Sequence, residues 1–168
     1  MMNSSTLEPA THLRRLLAKF QTAMLVTHAD GGELRARPMA IARTEDCCRI
    51  WFFSGNDSGK IHEIGSDAQV SVVCQRDESI YLSLSGTASV CRDRDKIADL
   101  WNEAFRPWFP KGKDDPDLSL IVVEPEDGEY WDNEGFNKIK YLFETAKAYA
   151  AGERPAVEEG SQHAKVAW

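Results

Sequence analysis

The sequence predicts a mainly β chain of α+β type, an antiparallel barrel with a few peripheral helices, and three observations carry that prediction. Asp30-Gly31-Gly32 separates two β-type segments, the turn signal of a hairpin. From Ile80 to Val90 apolar or small residues alternate strictly with Tyr81, Ser83, Ser85, Thr87 and Ser89, a period of two over eleven residues. Strands follow one another directly, with too few helices between them for a doubly wound parallel sheet.

Taken in order, Leu13, Leu16, Leu17 and Phe20 recur at helical spacing and open the chain with an amphipathic helix. TAMLVTH (22–28) and ELRARPMAIAR (33–43) are the first hairpin, and CRIWFFS (48–54) follows the polar turn Thr44–Asp46. A short helix begins after Gly55. QVSVVCQ (69–75) and SIYLSLSGTASV (79–90) supply the next two strands, joined by the polar turn Arg76–Glu78. Ile97, Leu100, Trp101, Ala104 and Phe105 return to helical spacing after DRDK. PWFPKGKDDPD (107–117) holds three prolines and a glycine and reads as an aromatic loop. LSLIVVEPEDGEYW (118–131) is a sixth strand, bent at Pro125, and Ile139, Leu142, Phe143, Ala146 and Ala150 mark a last helix capped by Gly152. The expected organisation is one domain over 1–152 and a disordered tail over 153–168, which is polar and rich in small residues.

Composition narrows the function. At 168 residues and 42% hydrophobic content the chain can bury one core. A net charge of −7 argues against a sequence-independent grip on nucleic acid or an anionic membrane, so an anion would be held locally. The start has no apolar signal region and no segment reaches a membrane-spanning length, so a cytoplasmic location is expected. Cys47, Cys48, Cys74 and Cys91 lack the C-x-x-C spacing of a zinc site and read as small buried hydrophobes.

The stretch IWFFSGNDSGKIHEIGSD (50–67) carries the chemistry. A nucleotide-binding P-loop needs four residues between its glycines and a hydroxyl after the lysine. Here three residues separate Gly55 from Gly59, and Ile61 follows Lys60, so that reading fails. What remains is two hydroxyls, Ser54 and Ser58, a glycine and a cation at a helix start. They suit either a phosphate monoester or a capped helix with a solvated lysine. Pro38, in the middle of a strand, requires an edge or a bulge. Beside Arg37 and Met39 it suits the edge of a flat heteroaromatic ring or an edge guarded against aggregation.

Together RARPMAIAR, FFSGNDSGK, SLSGTASV and RPWFPKGKDDPD resemble the general stress protein branch of the pyridoxamine 5'-phosphate oxidase-like superfamily, the FMN-binding split barrels. The resemblance covers roughly Leu13 to Trp131. It implies a six-stranded antiparallel split barrel that pairs as a homodimer, with FMN, or alternatively FAD, in grooves between subunits. By residue, Arg37, Pro38 and Met39 would lie along the isoalloxazine and ribityl chain, joined by Phe53 and Ser54. Ser58, Gly59 and Lys60 would take the phosphate. Gln75 would reach the site from the neighbouring strand, and Trp108 would cover the ring from the partner chain. Oxidases proper carry an arginine–histidine pair after their last tryptophan. Residues 129–137 here, EYWDNEGFN, hold neither, so pyridoxamine phosphate oxidation is not implied.

Two function classes follow. One is a flavin protein, either an FMN-dependent oxidoreductase or a carrier of reduced flavin in stress responses, in which the cofactor supplies the redox chemistry. The other is a non-catalytic interaction module that docks a partner through the aromatic loop 107–117.

Overall fold

In the computed structural model, residues 4–152, 154–155 and 162–168 are described. Helix α1 (Ser4–Leu17) precedes strands β1 (Thr22–His28), β2 (Leu34–Thr44) and β3 (Ile50–Gly55). Helix α2 (Gly59–Ser66), strands β4 (Gln69–Arg76) and β5 (Ile80–Cys91), helix α3 (Arg94–Leu100), strand β6 (Leu118–Asp132), helix α4 (Phe136–Ala151) and strand β7 (His163–Ala167) follow. The sheet runs β3-β2-β1-β4-β5-β6-β7, and an additional β3–β6 pairing closes its first six strands into the antiparallel barrel that the sequence predicts.

Alternation sorts the side chains. Leu25, Phe52, Val72, Leu82, Leu84 and Ile121 point into the barrel and are buried. One turn pair of α1 supplies Leu13, Leu16 and Leu17, all essentially inaccessible, as a plug against β5, β6 and β7. Each such leucine contributes about 2 kcal/mol by leaving water. A second cluster lies outside the barrel: Trp51, Phe53, Leu118, Leu120 and Val122 on the outer face of β3 and β6, covered by Ile97 and Leu100 of α3.

β6 is 15 residues long, and its N-terminal half pairs with β3. Its partner then changes. Ser85 pairs with Asp127 but Gly86 with Pro125, so Glu126 is an extra residue and the strand bends at a bulge. A Cβ on Gly86 would sit 2.1 Å from the Glu124 carbonyl oxygen, which is why that position is glycine.

Three expectations change. The helical spacing from Ile97 to Phe105 is split: α3 ends at Leu100, and Asn102 caps a separate 3-10 turn, Glu103–Phe105, by accepting the Ala104 amide. The predicted last helix forms, but Ile139, Leu142 and Phe143 face solvent, Phe143 at 69% exposure. The tail is not disordered throughout: His163–Ala167 pairs antiparallel with β6 from Asp127 to Trp131. Beyond the bulge β6 has left β3, so its bare edge accepts a strand, and Val166 becomes buried while His163 stacks on Trp131 at 5.4 Å. Residues 153 and 156–161 lie outside the described residues.

Candidate functional site

The barrel is split beside β2. Residues 34–40 pair with β1 on one side, whereas β3 joins only from Ile41 onward, with a register shift between Ile41 and Arg43. The Ile41 amide donates to the Gln21 carbonyl at 2.9 Å. By the two-residue alternation of an antiparallel ladder, position 38 faces the open edge, where a missing N–H breaks no ladder bond. Pro38 therefore marks an edge.

Along that edge runs a cleft of about 500 Å³, within the range of small-molecule sites. Thr22, Pro38, Met39 and Ala40 form one side, Ser54, Gly55 and Lys60 the polar end, and Phe53, Phe105, Trp108 and Phe109 an aromatic wall. Phe53 anchors that wall, with ring centroids 4.8 Å from Phe105, 5.6 Å from Trp101 and 6.1 Å from Phe109. Trp108 remains 68% exposed at the rim.

The polar end is held by β3 and α2. Ser119 Oγ donates to the Ser54 carbonyl at 3.2 Å, and the Ser54 and Ser58 hydroxyls meet at 2.8 Å. Ser58 is the N-cap of α2 yet makes no side-chain cap bond, its hydroxyl being turned to Ser54. Lys60 is half-buried, and among the described residues no carboxylate forms an ion pair with it. Burial and then the neighbouring Arg37 charge push its ammonium pKa down, against the smaller opposing effects of Asp57 and Glu63. Nearby, Glu63 is only 4% exposed. It accepts from Thr27 Oγ1 at 2.5 Å, Arg37 Nη2 at 2.8 Å and Arg35 Nη1 at 3.2 Å, while Arg37 Nη1 donates to Thr27 Oγ1 at 2.6 Å. Burial raises the Glu63 carboxyl pKa, but the Thr27 hydroxyl and the two guanidinium groups outweigh it and hold the carboxyl below its ordinary value.

Of the sequence-predicted residues, Pro38, Met39, Phe53, Ser54, Lys60 and Trp108 meet at one cleft, with Ser58 and Gly59 one step behind Lys60. Arg37 turns to Glu63 and Thr27 and is absent from the lining. Gln75 is exposed on β4, separated from β2 by β1, and does not line this cleft. Trp108 lines the rim of the cleft in its own chain. Sequence reasoning missed Glu63, Thr27, Phe105 and Phe109. The trace of Glu63 in the sequence is its place between Ile61 and Ile64 on the buried side of α2. As read, Cys48 and Cys74 are buried, their thiols pushed up to about 11 and about 12 by burial, but Cys47 is exposed. Among the described residues no group of His, Cys, Asp and Glu could hold a metal ion, and no helix is long and apolar enough to cross a membrane.

A six-stranded antiparallel barrel left open along β2, with a cleft between an aromatic wall and Lys60, has the split-barrel fold. Residues 8–156 match the family model described as pyridoxamine 5'-phosphate oxidase like, and the chain belongs to that family. It is similar to Protein bli-3 of Neurospora crassa, 28% identical over 129 residues that cover 68% of this chain and 62% of that protein. The chain spans about three fifths of the length of the curated relatives it matches. Among solved structures it resembles a protein described as general stress protein 26 from Jannaschia sp., with 26% identity, TM-score 0.69, and 97% and 99% of the two chains covered. It also resembles the general stress FMN/FAD binding protein of Xanthomonas citri, with 29% identity, TM-score 0.65, and 77% and 92% covered.

Proposed function

We propose that this chain binds a flavin in the cleft beside β2, with FMN preferred over FAD, and serves as an FMN-dependent oxidoreductase or a carrier of reduced flavin. The observation that carries the reading is Lys60, a half-buried cation with no ion pair among the described residues, at the polar end of a cleft that also has an aromatic wall. A phosphate monoester would neutralise it, the Ser58 hydroxyl and the first amides of α2 would join the bond set, and the tricycle would lie between Pro38-Met39 and the aromatic wall. FMN comes before FAD because Lys60, the Ser58 hydroxyl and the start of α2 gather at one short polar end, which suits one terminal phosphate. The bound flavin supplies the electron chemistry; the chain binds it, orients it and excludes water along the wall.

Two chains would pair on the outer face of β1, β4, β5 and β6, where Met24, Val73, Tyr81 and Trp131 are exposed beside the cleft-lining Thr22. A stress role, suggested by the relatives named as general stress proteins, and a cytoplasmic location belong to the same proposal. The exposure of Trp108 favours a second reading, a partner-docking loop over 107–117. Flavin titration of the purified protein, followed by the visible band of bound flavin and by sedimentation, separates them. Uptake of one FMN per chain in a two-chain particle supports the proposal. A colourless protein that takes up neither FMN nor FAD sinks it and leaves the docking loop.

A further inference from the structure

Glu63 is the most confined charge near the cleft, and the proposed ligand does not use it. The γ-carboxylate folds back along α2, with Oε1 3.9 Å from where a Cβ on Gly59 would stand, so it lies against the helix's first turn. That is an adverse place for a negative charge in an anion site. Simple electrostatics therefore predicts that Glu63 weakens phosphate binding.

We infer instead that Glu63 is a positioning residue for phosphate recognition: with Thr27 it fixes the Arg37 guanidinium beside Lys60, so that the two cations act as a preset pair. The inference rests on the flavin reading above. Three features support it. Thr27 and Glu63 are both buried and each takes a different Arg37 nitrogen, Nη1 and Nη2, so the fork is held at two points. Arg35 adds a third contact on the other carboxylate oxygen, which leaves Glu63 no freedom to swing toward Lys60. Glu63 holds Arg37 Nη2 at 2.8 Å on one oxygen while its other oxygen lies against the first turn of α2, so the guanidinium stands behind the lining beside the turn that carries Lys60, and its charge lowers the lysine pKa. Without Glu63 the long arginine side chain would sample many rotamers, and ordering it on binding would cost affinity.

The test compares FMN with riboflavin, which lacks the phosphate, on the full chain. In wild type both bind, FMN the tighter. Glu63→Gln keeps the shape and removes the clamp's charge. Expected is a roughly 10-fold loss of FMN affinity, the scale of one charge-assisted hydrogen bond, with riboflavin unchanged. In an Arg37→Met background the same change should have no further effect on FMN. Thr27→Val, which breaks one point of the clamp, should shift FMN in the same direction by less, and serves if Glu63→Gln melts early. Equal losses for both flavins, no loss, or a gain in FMN affinity would overturn the inference while leaving the flavin reading intact. A wild type that binds neither flavin would overturn both.

Discussion

Two strand edges in this molecule face the same physical problem and are treated differently. β6 leaves β3 at the Glu126 bulge, and its freed edge is covered by β7. β2 has an equally bare edge over residues 34–40, on the side away from β1, and no described strand covers it. An uncovered edge invites pairing with another chain. On β2 it is blunted by Pro38 and flanked by Arg35 and Arg37, and it opens on the cleft. The covered edge serves stability; the uncovered one opens a cleft lined by residues of both β2 and β3.

The comparison can be broken at the bend itself. Gly86→Ala drives a methyl into the Glu124 carbonyl, and a loss of about 3 kcal/mol or more in denaturant unfolding is expected, with β6 unable to pass from β3 to β7. Ending the chain at residue 162 strips the covered edge. Burial of Val166 is lost, about 2 kcal/mol, and concentration-dependent association beyond the proposed two-chain particle should appear in sedimentation, with FMN uptake unchanged. The open edge has its own signature in pH. Because the Glu63 carboxyl titrates lower in the folded chain than unfolded, its contribution is present above the ordinary carboxylate pKa and disappears as pH falls through the folded value. Melting curves against pH should show that loss in wild type and lack it in Glu63→Gln. Smallest is Pro38→Ala, which adds an N–H at an edge with no ladder to complete. It should move stability by no more than about 1 kcal/mol, through the unfolded chain alone.

How much of this was legible in the sequence depends on the range of the interactions. The β5 strand and the Asp30-Gly31-Gly32 hairpin were readable because alternation and turn chemistry are local. Pro38 announced an edge for the same reason. β7 was not readable: HAKVA is a short segment of mostly small residues whose strand character comes from a vacated edge more than thirty residues upstream, as the Glu129–Lys165 register illustrates. Trp101 to Phe105 kept helical spacing while the backbone broke, because the cap at Asn102 competes with helix propagation. Lys60, Ser54 and Ser58 were placed from their shared stretch. Glu63 and Thr27 became a pair only when α2 packed against β1, a tertiary event that the spacing of neither residue records.

In the proposed function Lys60 clasps an anionic tail at the end of an open barrel edge. Calorimetric titration of wild type and Lys60→Ala with FMN and with riboflavin tests it most directly. FMN binding is expected to weaken by about 1–3 kcal/mol in the variant, the scale of a bond to a charged group, with riboflavin affinity and Tm of the free protein held. Equal FMN affinity in the two proteins would contradict it.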